Sequence, residues 1–323
     1  MTDVSIIMPV KNGERYLNQV LTSIFLQKTD FTFEVIIIDS GSSDRSLEII
    51  SKHPVRLIKI SPRKFGHGKT RNYGASIAQG QFIVFITQDA VPKGKFWLDN
   101  LIKTYESDDK LAGVYCRQIP RPFENPVSVE GIRNWIAGKD EFKITQISSA
   151  DEYNRLSPLE QRLLINFDNV ASSMRKDVWE KYPLPESTFA ADHQWAKNVL
   201  LNGYKIAFQP ESAVIHSHDR SAVYEFKRRF IDHKINFQQY KLRLFPNIKS
   251  LYFGILGDIK NKSKIILKSD FNMIFKFYFL IKNIFVSAAQ DMGTYLGAKW
   301  EKERKTDNSR LFAVLEKKII QGV

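Results

Sequence analysis

Residues 1–90 alternate two patterns, and this alternation constrains the fold more than any other feature of the chain. Short apolar runs rich in β-branched residues stand at Val4–Met8, Phe33–Ile38, Val55–Ile60 and Phe82–Ile86. Between them apolar residues recur at helical spacing, as Tyr16, Leu17, Val20, Leu21, Ile24 and Phe25 do. Strand, helix, strand, helix predicts right-handed βαβ units and a mostly parallel sheet covered on both faces. Ligands bind such sheets beyond the carboxyl ends of the strands. Chemistry is therefore expected in the loops after Met8, Ile38, Ile60 and Ile86, where the polar clusters of this half of the chain lie.

Asp39 ends the second run, and Ser40-Gly41-Ser42-Ser43 lets a ligand approach the backbone closely. A carboxylate there accepts a hydrogen bond from a base or ribose, or closes an Asx turn. Asp44 then caps a helix carrying Leu47, Ile49 and Ile50. Asp89 follows the fourth strand after Thr87 and Gln88, a suitable ligand for a divalent cation already on phosphate, or a turn residue before Pro92. The segment 62–72 gathers His67, Lys69 and Arg71 around Gly66 and Gly68, ahead of a helix over Lys69–Ala78 that Gly80 ends. Cations and glycines at a helix start suit a diphosphate. Gly68-Lys69-Thr70 is not a P-loop, because Arg63 occupies the position of the required earlier glycine.

The middle of the chain, 115–190, is less regular. Ser157, Pro158 and Glu160 open a helix with a capping box, and Phe167–Met174 has strand character. Lys205–Phe208 and Ala213–His216 are expected as two short strands parted by Gln209-Pro210-Glu211. Asp192 opens a helix containing Trp195, and His216 ends the second of those strands. An aspartate and a histidine are natural choices for general base and metal ligand, although each alone is also an ordinary cap or surface residue.

Charge divides the chain. Residues 219–323 hold 21 Lys and Arg against 10 Asp and Glu, which is +11 of the total +13. A catalytic region over 1–218 and a basic, mainly helical region over 219–323 are expected, the latter serving membrane association or oligomerisation. Such a charge favours an anionic partner. Nucleic acid is excluded, since no recognition motif or aromatic stacking platform accompanies the charge. Phe271–Ala289 is apolar but carries Lys276 and Lys282, so it makes a poor spanning helix. Its polar positions Asn272, Lys276, Asn283, Ser287 and Gln290 share one face, which predicts an amphipathic helix lying in a bilayer interface or against the protein core. The single Cys116 rules out an internal disulfide framework and a cysteine zinc site. With no basic leader or cleavage site before Val4, the expected compartment is the cytoplasm.

Taken together, Ser5–Glu14, Glu34–Asp44, Thr70–Ala75, Phe85–Ala90 and Phe189–Asp192 resemble the motifs of the inverting family 2 glycosyltransferases with the GT-A fold. That resemblance implies an α/β, Rossmann-like, mostly parallel sheet flanked by helices, with a helical C-terminal extension. It implies a nucleotide site lined by Pro9, Val10, Asn12, Glu14, Asp39, Gly41 and Ser42. His67, Lys69, Arg71 and Gln88 would also touch the donor. Asp89 and His216 would hold Mg²⁺ or Mn²⁺, and Asp192 would be the catalytic base. Asn169 and Trp195 fall where the family shapes its acceptor pocket, and Arg229 lies where processive members carry Gln-x-x-Arg-Trp, a motif this chain does not match. Phe65–Asn72, Thr87–Pro92 and Ala213–His218 look most like rhamnosyltransferases. The implied reaction moves L-rhamnose from dTDP-β-L-rhamnose to a saccharide acceptor, lipid-linked, at the inner face of a membrane, in cell-surface polysaccharide synthesis.

Two departures stand out: Thr87 replaces the first aspartate of Asp-x-Asp, and Ala191 replaces an acidic neighbour of the base. They leave two alternatives, a UDP-hexose or UDP-N-acetylhexosamine donor, and a non-catalytic saccharide-binding or assembly protein. A homo-oligomer is compatible with either.

Overall fold

A computed structural model describes residues 2–186, 190–304, 314, 316, 317 and 319. Phe189 of the motif before Asp192 and residues 305–313 of the basic region lie outside the described residues. The elements in chain order are β1 (Val4–Val10), α1 (Leu17–Phe25), β2 (Phe33–Asp39), α2 (Ser46–Ile50), β3 (Arg56–Lys59), α3 (His67–Ser76), β4 (Phe82–Ile86), β5 (Val91–Pro92) and α4 (Trp97–Lys103). They continue with β6 (Leu111–Ile119), α5 (Pro126–Asn134), β7 (Lys143–Thr145), α6 (Ala150–Arg155), α7 (Pro158–Leu164), β8 (Ala171–Arg175), α8 (Lys176–Lys181), α9 (Ala191–Leu201) and β9 (Lys205–Ile215). Three helices close the chain: α10 (Ala222–Tyr240), α11 (Ile248–Lys268) and α12 (Met273–Arg304).

The chain forms two compact units. The first comprises Met1–Arg121, Ile132–Arg155 and Leu163–Ser217; the second comprises Pro122–Gly131, Leu156–Arg162 and His218–Val323. The second unit thus takes in two mid-chain segments that a single cut at 218 assigns elsewhere.

In the first unit one sheet runs β3-β2-β1-β4-β8-β6-β9-β5, with β7 pairing β9. The expected parallel arrangement holds from β3 to β4, with Val4 opposite both Phe33 and Phe82. Every residue from Val4 to Met8 is buried, which is why that strand shows a continuous apolar run and no alternation. Beyond β4 the sheet is mixed: β8 runs antiparallel to β4 and β6, and β9 runs parallel to β6.

Four sequence expectations change in detail. The segments around Gln209-Pro210-Glu211 are one strand, β9, carrying an irregularity where Cys116 and Arg117 face it. The strand expected over Phe167–Met174 is confined to Ala171–Arg175, because Asn169 and Val170 form a turn ahead of it. Helix α3 starts at His67, so His67 and Lys69 belong to its first turn. Gly80 does not stop that helix; its Cα lies against the backbone of Val4 and Ser5, where an added Cβ would sit 2.6 Å away.

The second unit is helical. Ser221 caps α10, and Asn247 with Ser250 forms a capping box on α11. Helix α12 approaches α10 closely at Gly293 and Gly297, where a Cβ would lie 2.4 Å from the carbonyl oxygen of Phe226 and 2.2 Å from that of Phe230. Three of the polar positions noted in the sequence turn inward, whereas Asn272 is exposed. Asn283 donates to the carbonyl of Ile259, Ser287 donates to Asn283, and Gln290 donates to Glu225. No helix among the described residues is long and apolar enough to cross a membrane.

Candidate active site

At the carboxyl edge of the parallel strands three loops are joined by reciprocal hydrogen bonds. The Gln88 amide accepts from the Lys11 N–H at 2.8 Å and donates to the Lys11 carbonyl at 3.0 Å, tying the loop after β4 to that after β1. Asn12, in a left-handed conformation, donates its N–H to Ser42 Oγ and accepts from the Ser43 N–H. Glu14 donates its N–H to Asp44 and accepts from the Arg45 N–H, joining the β1 and β2 loops. Asp39 is buried, and its carboxylate accepts from the N–H groups of Gly41 at 3.0 Å and Ser42 at 3.2 Å. The turn-forming role of Asp39 is therefore realised, and it shapes the Gly41–Ser42 loop that stands beside Pro9 and Val10 at the ends of β1 and β2.

A second group is organised by Asp168-Asn169-Val170. The Val170 carbonyl accepts from the Thr87 N–H at 2.9 Å, fixing the strand end that presents Asp89. The Asn169 N–H donates to Asp192 at 3.4 Å, and its carbonyl accepts from Arg71 at 3.4 Å. Asp168 accepts a short hydrogen bond from the Gln118 amide, whose oxygen lies 2.9 Å from His216 Nδ1. The Nε2 of His216 lies 3.7 Å from Asp89 Oδ1. When Gln118 accepts from Nδ1–H, the Nε2 lone pair is left facing Asp89. Hydrogen bonding at one ring nitrogen sets the role of the other in this way.

Asp89, His216 and His218 each offer one ligand atom, and these three atoms lie within 4.8 Å of one another, the only such group among the described residues. His218 lies one residue past the boundary of the first unit, two positions along the chain from His216. A carboxylate oxygen and two imidazole nitrogens are a donor set suited to a divalent transition ion more than to Mg²⁺, and this spacing fits one.

Arg71 is buried on the inner side of α3. Burial pulls its guanidinium below the usual arginine range, while the charges of Asp192 and Asp168 oppose that shift. Its buried Nε has no hydrogen-bond partner among the described residues. Asp192 sits at the start of α9, after Ala190 in a left-handed conformation. His67 and Lys69 are exposed on the first turn of α3. The structure brings Asp192, Arg71 and Asn169 together and separately joins Asp89 to His216.

Other expected site residues are placed differently. Trp195 is fully buried, packed at a tilt against Phe167, with its indole N–H on the Tyr182 carbonyl. Asn169 is buried too, its side chain accepting from Ser172. Both hold the wall of the site and offer no open surface to an acceptor. Arg229 is an exposed residue of α10 in the second unit. The sequence reading passed over Gln118 and Asp168, and also Arg121. Arg121 donates to the carbonyls of Ser217 and Asp89 and lies 3.9 Å over the Tyr16 ring. Cys116 is buried with its thiol pushed up to about 12, which removes it as a nucleophile.

Comparison with known proteins decides the family. Residues 5–165 match the glycosyl transferase family 2 model. The chain is 30% identical over 230 residues to the O-antigen chain rhamnosyltransferase RfbN of Salmonella typhimurium, spanning 70% of each protein. The chain belongs to glycosyl transferase family 2. Another family member, the O-antigen chain rhamnosyltransferase WbaN of Salmonella anatum, is 28% identical over 311 residues, 93% of this chain and 91% of that protein. Among solved structures, the Pyrobaculum calidifontis mannosyltransferase PcManGT aligns with a TM-score of 0.53 at 17% identity, covering 98% of this chain and 80% of that one. It was solved in complex with GDP-Man and Mn²⁺. These relations establish a glycosyltransferase with a GT-A fold.

Proposed function

We propose that this family 2 glycosyltransferase moves L-rhamnose from dTDP-β-L-rhamnose to a saccharide acceptor carried on a lipid, at the inner face of a membrane, during assembly of a cell-surface polysaccharide. The donor sugar is supported by the two Salmonella relatives, both O-antigen chain rhamnosyltransferases, one of them matching over most of this chain. The reaction class rests on one observation: Asp168-Asn169-Val170 binds, through successive hydrogen bonds, the carboxylate of Asp192, the guanidinium of Arg71, the Thr87 backbone before Asp89, and the Gln118–His216 pair.

Asp192 is the base. It takes the proton of an acceptor hydroxyl as that oxygen bonds to the anomeric carbon, while the bond from that carbon to the diphosphate breaks on the opposite face. One displacement inverts the centre, so a β-linked donor gives an α-rhamnoside. Pro9, Val10, Asn12, Glu14, Asp39, Gly41, Ser42 and Gln88 form the nucleotide side of the cleft. Arg71, with His67 and Lys69 on the same helix turn, holds the diphosphate. Asp89, His216 and His218 would hold Mg²⁺ or Mn²⁺, which would supply positive charge to the leaving diphosphate. Gln118 keeps His216 in the ligand tautomer, and Arg121 fixes the backbone of Asp89 and Ser217. The missing first aspartate of Asp-x-Asp is thereby offset by histidine ligands from the end of β9. Arg229 is available to a lipid-phosphate acceptor.

Asp192→Asn is expected to lower turnover by about 10²–10⁴-fold or more while dTDP-rhamnose binding by calorimetry stays near wild type. Turnover close to wild type would sink the base assignment. Selective thermal stabilisation by a UDP-sugar over dTDP-rhamnose would keep the mechanism and replace the donor.

A further inference from the structure

Helix α12 is amphipathic in the reverse sense to a helix on a soluble domain. Asn283 is 5% exposed and Ser287 fully buried, whereas Ile274 is 80% and Phe285 63% exposed. The outward residues Ile274, Phe277 or Tyr278, Ile281 and Phe285 follow one another at three- and four-residue steps, and Met292 stands two turns beyond. They form one stripe about 27 Å long at 1.5 Å per residue. A soluble monomer exposes few contiguous apolar patches of this extent.

We infer that this stripe, with the end of α11, is a docking surface for an anionic lipid bilayer, and that α12 lies in the interface without crossing it. The inference gives a physical site to the peripheral attachment proposed above and rests on that reading only for the identity of the membrane. Charge selects the occupant. Lys260, Lys264 and Lys268 are exposed at four-residue steps on α11, and the last precedes the stripe by only the link 269–272. They belong to a region carrying +11 of the chain's +13 charge, which is drawn to an anionic leaflet and repels a second copy of itself. Width argues the same way. At the first turn of α12 Met273, Ile274 and Phe275 are all exposed, so the apolar surface there is broader than the narrow seam that a partner helix covers. A broad apolar medium with a charged surface meets both features. The lysines that flank the stripe are paired within the unit, Lys282 with Asp219 and Lys276 with the Leu267 carbonyl, which lowers the cost of bringing them to an apolar medium.

The test uses the full chain and flotation with vesicles of phosphatidylcholine alone or mixed with about a quarter phosphatidylglycerol. The expected result is binding to the mixed vesicles, weakened by salt. The combined change Phe277→Ser, Ile281→Ser and Phe285→Ser should weaken it about tenfold or more, and Lys260→Gln with Lys264→Gln and Lys268→Gln should do the same. Melting temperature and dTDP-rhamnose binding should stay unchanged in both variants, which shows that they fold. Equal binding of wild type and stripe variant would overturn the inference. So would a wild-type dimer by light scattering that the stripe variant converts to monomer without loss of vesicle binding. Because these vesicles carry neither donor nor acceptor, the rhamnosyl reading can fail with this result intact, and the reverse also holds.

Discussion

The two units of this chain bury opposite things. In the first, Val4–Met8 and the inward face of α1, Leu17, Val20, Leu21 and Ile24, form a dry core, and polar groups gather at one edge of the sheet. In the second, Asn283, Ser287, Thr294 and Glu301 are buried on α12 while Ile274, Phe277, Ile281 and Phe285 of the same helix face outward. The same rule of amphipathic packing governs both, with the apolar face turned inward in one and outward in the other. A buried polar residue in the first unit therefore tends to serve chemistry, whereas one in the second serves to hold helices together.

The largest effect should come from the apolar interior of the first unit. Leu21→Ala removes a fully buried side chain from the layer between α1 and the sheet, at a cost of about 2–5 kcal/mol in urea unfolding. A loss below about 1 kcal/mol would mean that this core is looser than its burial indicates. Next comes a polar group of the same unit. Gln118→Leu should weaken Mn²⁺ binding about 10–100-fold, titrated in the presence of dTDP, because His216 loses the partner that fixes its ring. Unchanged metal affinity would separate Gln118 from the site and weaken the contrast between the units.

The smallest effect lies in the polar interior of the second unit. Burial first, then the charge of Asp258, pushes the Asp291 carboxyl up to about 6, with Lys262 and Arg229 acting against them. A carboxyl raised in the folded state contributes stability below its unfolded value near 4, and that contribution is lost as pH rises through about 6. Asp291→Asn should thus raise stability at pH 8 by about 1 kcal/mol after solvent screening, by roughly half as much at pH 5, and leave it nearly unchanged at about pH 3. Calorimetry at pH 8 and pH 3 checks this, and a lower melting temperature of the variant at pH 8 would refute it.

Much of the first unit was legible because β1, β2 and β4 are buried on both faces, so their sequences are continuous apolar runs. Asp39, Asp89 and Asp192 were legible because each stands where an element ends. The supporting residues were harder to see. Gln118 and Arg121 sit at the end of β6, in a stretch whose strand was not expected, and their role depends on β9 lying beside β6 across nearly a hundred residues of chain. Trp195 misled for the opposite reason: a large aromatic in a motif suggests a contact surface, but packing against Phe167 takes it into the core. For α12 the periodicity identified the polar face, yet periodicity has no sign, and only the structure tells which face meets the protein.

Gly293 and Gly297 act on that helix as a pair of detents. With α10 carbonyls pressed against both positions, α12 cannot roll about its axis without a collision, so its angular phase is mechanically indexed to α10. An apolar stripe held at a fixed phase is on display at all times. Recruitment to a surface would then need no triggering event, and its control would have to come from the surface, through how much charge it carries.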